Sequence, residues 1–209
     1  TLMLQIMSDL SEKYKVLYVS GEESANQIKL RADRLGVGQS NMLLYPETDM
    51  HDIREQINDV KPDFVVIDSI QTMNEPSLDS MTGSASQVRE VTSELMKIAK
   101  MDAITIFVIG HVTKEGAIAG PKILEHMVDT VLSFERTSDE VRFLRAQKNR
   151  FGSVDELGLF EMDEKGLKCV SDPSSLFITR RKKETPAGIA CASVFEGSRV
   201  FIVEIQALT

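Results

Sequence analysis

Five side chains in this 209-residue sequence have the types and placements needed for phosphoryl chemistry. Asp68 closes the apolar run "FVVID", where a carboxylate can hold a Mg²⁺-bound water network beside a nucleoside triphosphate. Glu22, just past "VLYVS", is suited to orient or deprotonate a water attacking a γ-phosphate. His111 follows "ITIFVIG" and could donate to a γ-phosphate oxygen, reporting its presence. Lys148 and Arg150, in "RAQKNRFGSVDELGLFEM" (145–162), end a β-patterned segment with two long cations in a chain of formal net charge −8. Each has a plainer reading as well. A strand-end Asp often caps a helix or turn, and Glu22 or Glu23 can sit favourably at the positive end of the next helix. A lone His can be structural, and Lys on an edge strand blocks unwanted pairing. What separates the readings is whether the five meet.

The elements between them alternate. "TLMLQIMSDLSEKYK" carries an apolar helical stripe and leads into "VLYVS" (16–20), a short apolar run of the kind that forms a buried parallel strand. A helix is expected to end at Gly36, then a strand "NMLLY" (41–45), a helix over 49–61 and the strand "FVVID" (64–68). A polar loop, a helix over 86–101 and the strand "ITIFVIG" (104–110) complete the alternation, which is the signature of a doubly wound, mostly parallel α/β sheet. From about residue 128 strands follow one another without helices ("VDTVLSFE", "VRFLRAQK", "LGLFEM"), which predicts an antiparallel β extension of that sheet. Residues 171–188 read as a connecting segment, and the end reads as a hairpin about "EGSR". Ligands of open α/β sheets bind beyond the carboxyl ends of the strands, so two acids, an imidazole and two cations are expected along one edge. On a regular strand Lys148 and Arg150, at i and i+2, would share a face while Asn149 pointed away.

Composition sets outer bounds. With 42% apolar and 27% charged residues the chain is neither disordered nor fibrous, and it is long enough to bury a sizeable core. No apolar run reaches the length of a membrane span, so no membrane partner is expected. Cys169 and Cys191 form no CxxC pair, which argues against a zinc site within these residues and suits reduced thiols in a cytosol. An excess of acids argues against a wholly basic nucleic-acid coat, yet residues 136–150 hold five cations against two acids, and "RRKK" (180–183) adds a second basic run.

The longer motifs are more specific. "VLYVSGEES", "FVVIDSIQT", "GSASQVREVTSELMKIAK", "VIGHVTKEGAIAGPKILEHMVDTVLSFE", "LRAQKNRFGSVDELGLFEM" and "VEIQAL" together resemble the bacterial RadA/Sms proteins, RecA-like DNA-dependent ATPases of recombination and repair. The resemblance implies a RecA-like ATPase core over 1–170, then a connecting segment and the start of a C-terminal Lon-like domain over 171–209. It implies ATP and Mg²⁺ as cofactors, with Thr1, Asp68 and His111 at the nucleotide, Asp68 reaching the metal through water, and Glu22 at the attacking water. In that family zinc belongs to an N-terminal finger. No GxxxxGK[ST] occurs in the sequence, and Thr1 falls where the residue after the magnesium-binding Ser would stand. The 209 residues alone are therefore not expected to hydrolyse ATP. Lys148 and Arg150 are implied to act on the nucleotide of a neighbouring subunit, aimed by a turn at Phe151 and Gly152. DNA is implied to lie against two loops, 74–86 and 112–122, with Lys114 and Lys122 on its phosphates. The implied partners are single-stranded DNA, branched DNA intermediates and RecA, in a cytoplasmic homo-oligomer, a hexameric ring, that drives branch migration or D-loop extension. Two other functions fit parts of the chain. One is a nucleotide-independent DNA-binding and oligomerisation scaffold. The other is a small-molecule P-loop kinase, for which no acceptor-substrate lid is visible.

Overall fold

The structure, a computed structural model, describes residues 1–111, 120–136, 141–171, 174, 177–179, 181, 187–196 and 199–207. The chain divides into two compact units, Thr1–Val128 with Glu164–Gly166, and Asp129–Asp163 with Leu167–Thr209.

The first unit follows the alternation expected from the sequence. Its order is α1 (Leu2–Leu10), β1 (Val16–Ser20), α2 (Ala25–Arg34), β2 (Leu43–Pro46), α3 (Met50–Val60), β3 (Phe64–Asp68), a short 3₁₀ turn at Ile70–Thr72, α4 (Ala85–Met101), β4 (Thr105–Ile109) and α5 (Gly120–Met127). The four strands pair in parallel in the order β2-β1-β3-β4. All five residues of β1 are buried, and alternate residues enter opposite cores. Leu17 and Val19 pack with Val65, Ile67, Ile53 and Leu95 on one face. Val16 and Tyr18 pack with Val66, Leu4, Met7 and Ile28 on the other. A strand covered on both sides must be apolar throughout, which is why "VLYVS" reads as a continuous run. Each large side chain buried this way contributes about 1.5–3 kcal/mol.

Helix starts are fixed by local chemistry. Ser24 caps α2 in a reciprocal capping box with Gln27, and Asp49 caps α3 by accepting from the His51 N–H at 2.8 Å. Helix α5 is absent from the sequence-based expectation, which treated 112–122 as loop. Pro121 stands second in it, where its missing N–H costs nothing.

The loop before α4 is organised around one buried amide. Gln87 is fully buried; its Oε1 accepts from the Glu75 N–H at 2.8 Å, and its Nε2 donates to the carbonyls of Ser80 at 3.1 Å and Glu75 at 3.2 Å. Where the polar sequence of 74–86 suggests a pliant loop, the backbone of 75–80 is folded over this side chain.

In the second unit β5 (Thr130–Arg136), β6 (Val141–Asn149), β7 (Leu157–Asp163) and β8 (Gly166–Cys169) form a sheet of their own in that order, with β5, β6 and β7 paired antiparallel. The predicted antiparallel extension thus takes the form of a separate four-stranded sheet. β9 (Ile189–Glu196) and β10 (Arg199–Gln206) make the expected terminal hairpin. Arg181 grips Glu204 at 2.5 and 2.8 Å, and this bond, with a second from Gln206, holds the Glu204 carboxyl down at about 2. Among the described residues no helix is long and apolar enough to cross a membrane.

Replacing Gln87 with Leu keeps the volume but leaves the Glu75 N–H and several carbonyls of the loop without partners. Urea unfolding of this variant is expected to show a loss of about 1–3 kcal/mol, whereas an unchanged midpoint would show that the loop does not depend on this amide.

Candidate active site

The chain runs from β1 outward to β2, then crosses back to β3 on the other side of β1, so the sheet's topological switch lies between β1 and β3. The register there sets Ser20 opposite Asp68. Everything just beyond that pair, Gly21 and Glu22 on one strand and Ser69 on the other, emerges at one place. The Gly21 N–H donates to the Asp68 carbonyl at 2.8 Å, carrying the pairing one residue further. A Cβ on Gly21 would lie 2.1 Å from Thr72 Oγ1, so the close approach requires glycine.

Two hydrogen bonds and one longer side-chain contact build the site. The Tyr18 hydroxyl donates to Asp68 Oδ2. Burial, and then this bond to Asp68, push the Tyr18 pKa well up, so the hydroxyl stays protonated and remains a donor. Ser69 Oγ donates to Glu22 Oε1 at 2.6 Å, and His111 Nε2 stands 3.5 Å from the same oxygen. Ser69 is fully buried, while the Glu22 and His111 side chains are 45% and 59% exposed, so the cluster has a rigid floor and an open top. Gln71 sets the place of His111 from the side: its Oε1 accepts from the His111 N–H at 3.3 Å and its Nε2 donates to the His111 carbonyl at 3.1 Å.

Glu22, Asp68 and His111, singled out from sequence, therefore come to one edge, and Glu22 and His111 are in contact. Tyr18, Ser69 and Gln71 complete the site. Sequence reading missed all three, although "FVVIDSIQT" contains two of them. Glu23 has a different role. Its N–H donates to Ser20 Oγ at 3.1 Å and its carboxylate pairs with Arg31, while the helix cap is Ser24. Beside these acids lies a depression of about 270 Å³ lined by Glu22, Glu23, Glu47 and Thr48 among others. The backbone N–H groups of Asp49 and Thr48 hold the Glu47 carboxyl below the usual carboxylate range. Thr1 stands at the N-cap position of α1.

Carboxylate and hydroxyl oxygens suit Mg²⁺, which keeps most of its waters and takes one or two carboxylates. With Oδ2 engaged by Tyr18, Asp68 Oδ1 is the oxygen suited to a metal-bound water, so these residues fit that ion. A triphosphate is another matter. Glu22, Asp68, Ser69 and His111 include no permanent cation, so its charge must be met from elsewhere.

Lys148 and Arg150 lie in the second unit. Strand β6 ends at Asn149, and a bulge interrupts its pairing: Val131 faces Lys148, but Leu132 faces Ala146. The bulge falls at Gln147, on the strand side of Lys148, and because β6 ends at Asn149 the i, i+2 rule of a regular strand does not extend to Arg150, which already belongs to the turn. Asn149 Oδ1 accepts from the Phe151 N–H at 3.1 Å, and its Nδ2 donates to the Ser153 carbonyl at 3.3 Å. Phe151 at the tip is 82% exposed. Of the expected DNA contacts, Lys114 lies outside the described residues, and Lys122 falls in the first turn of α5, not in a loop.

Residues 5–117, just over half of the chain, match the family described as AAA domain. The chain belongs to that family. Over its whole length it is also 53% identical to "DNA repair protein RadA" of Streptococcus pneumoniae, covering 50% of that protein. It is 55% and 54% identical to proteins of the same name from Listeria monocytogenes and Bacillus subtilis, covering 46% of each. The chain thus spans about half the length of the curated relatives it matches. Its mixed architecture, a parallel four-stranded sheet with antiparallel sheets, is consistent with a RecA-like core of that family.

Replacing Tyr18 with Phe removes the hydroxyl donor that β1 supplies to Asp68. Denaturant unfolding is expected to report a loss of about 1.5–3 kcal/mol, the range for hydrogen bonds to charged groups; full retention of stability would mean that water serves Asp68 equally well.

Proposed function

We propose that this chain is part of the ATP-hydrolysing core of a DNA-dependent ATPase of recombination and repair, the water-activating and cation-supplying part, with the phosphate-binding loop supplied by the protein at native length. The observation that carries this is Glu22 at the topological switch, held by Ser69 and His111 one strand from Asp68, in a chain of the AAA domain family. The name carried by its relatives supports the DNA-repair setting.

The residues divide the work. Among the described residues both contacts of the Glu22 carboxylate fall on Oε1, so Oε2 is the oxygen suited to accept a proton from the attacking water. The short, charge-assisted bond from buried Ser69 fixes the carboxylate's direction, and orientation of a water is worth several kcal/mol of barrier. Mg²⁺, when bound through Asp68, supplies positive charge that offsets the triphosphate. His111, already hydrogen-bonded through its main chain to Gln71, can exchange its contact with Glu22 for one with the γ-phosphate. Lys148 and Arg150 supply the remaining positive charge to the nucleotide of a neighbouring subunit, where negative charge shifts as the phosphoryl group leaves. Such an arrangement needs an assembly, for which a hexameric ring on single-stranded DNA is the proposed form. Branch migration or D-loop extension with RecA would be its output.

The test is ATP turnover by the protein at native length, with and without single-stranded DNA. Lys148→Ala is expected to lower DNA-stimulated turnover by about 10²- to 10³-fold, as removal of a charge-stabilising donor does elsewhere, with the thermal midpoint unchanged. Turnover indifferent to DNA and to Lys148 would overturn the proposal.

A further inference from the structure

We infer that Asp129 is the positioning residue for Arg150, a role that rests on the proposed action of Arg150 at a neighbouring subunit's phosphoryl group. Asp129 stands one residue before β5 and holds Arg150 twice. Its carbonyl accepts from the Arg150 N–H at 3.1 Å, and its Oδ1 accepts from the guanidinium NH1 at 2.7 Å. Thr130, next along, is paired with Asn149 as the last rung between β5 and β6. Residue 150 is therefore fixed at main chain and side chain by a single partner, at the end of a ladder that cannot slide without breaking the Asn149 turn.

Stability does not account for this pair. The two side chains are 52% and 42% exposed, and ion pairs of that kind are worth about 0–1 kcal/mol. Its effect is on freedom. An unpaired arginine carries about 2 kcal/mol of rotamer entropy, much of which is lost when it is immobilised on a phosphate. Holding the guanidinium beforehand reduces that loss at the moment of reaction. The pair uses one of the five guanidinium N–H donors, so others remain for an oxyanion. Asp129 acts through Arg150 and is not itself placed at the reacting atoms.

The inference is tested by steady-state ATP turnover of the native-length protein on single-stranded DNA. The variants are Asp129→Ala, Asp129→Asn, Arg150→Ala and the Asp129→Ala/Arg150→Ala double. Asp129→Ala is expected to lower kcat by about ten- to a hundredfold, the scale of a misplaced catalytic group, with KM for ATP unchanged. Asp129→Asn keeps an acceptor of the same shape and is expected to recover most of the rate; its thermal unfolding, matched to the parent, controls for folding. The double variant is expected to be no worse than Arg150→Ala alone, since a positioning residue has nothing left to position. If Arg150→Ala is inactive while Asp129→Ala matches or exceeds the parent, the positioning role is overturned and the role of Arg150 stands. If Arg150→Ala turns over normally, the proposed function of Arg150 falls, and the inference with it.

Discussion

The parallel pairing of β1 with β3, in the register that sets Ser20 against Asp68, is the constraint from which the site follows. A parallel pair buried on both faces tolerates no slip, because a one-residue shift would exchange the side chains offered to two different cores. With Leu17 and Val19 committed to one core and Val16 and Tyr18 to the other, the register of the strand ends is fixed. The Tyr18 hydroxyl reaching Asp68 Oδ2 is the polar expression of the same register. Gly21 then passes Thr72 at a distance that no side chain allows, and Glu22 arrives beside Ser69.

Charge is distributed unevenly along the chain. The switch point gathers Glu22, Asp68 and, nearby, Glu23 and Glu47, while the basic residues of 142–150 belong to the second unit. An acid-lined edge suits a divalent cation and a water far better than a bare triphosphate. In the proposed reaction cations must be brought to such an edge, and the turn after β6 is the segment proposed to supply them: it displays Arg150 and an exposed Phe151 on a backbone held by Asn149 and Asp129.

Much of this was legible in the sequence, for a physical reason. Strands covered on both faces must be continuous apolar runs, so "VLYVS" and "FVVID" announce themselves, and in open α/β sheets the residues after such runs meet. The edge strand β2 was less clear: it is half exposed, and its bounds, Leu43–Pro46, lie later than the "NMLLY" run suggests. Hidden altogether were residues whose importance depends on partners far along the chain. Ser69 meets Glu22 across 47 positions, Tyr18 meets Asp68 across 50, and Gln71 meets His111 across 40. No local spacing encodes such contacts. The bulge in β6 was equally invisible, since an extra residue in one strand changes the direction of side chains without changing the apolar pattern. Nothing in the local sequence marks Gln87 out from the other polar residues of its helix, although its buried amide holds the loop before it.

The role of Glu22 is tested by single-turnover hydrolysis of bound ATP by the native-length protein carrying Glu22→Gln, alongside a nucleotide-binding titration. Gln retains the acceptor that Ser69 needs but cannot take a proton from water. With Glu22 as the general base, hydrolysis is expected to slow by about 10²- to 10⁴-fold, the usual contribution of such a base, with nucleotide affinity retained. Hydrolysis at the parent rate would contradict that role, because Glu22 would then be a structural acid and the cluster at the switch point would not be where the water is activated.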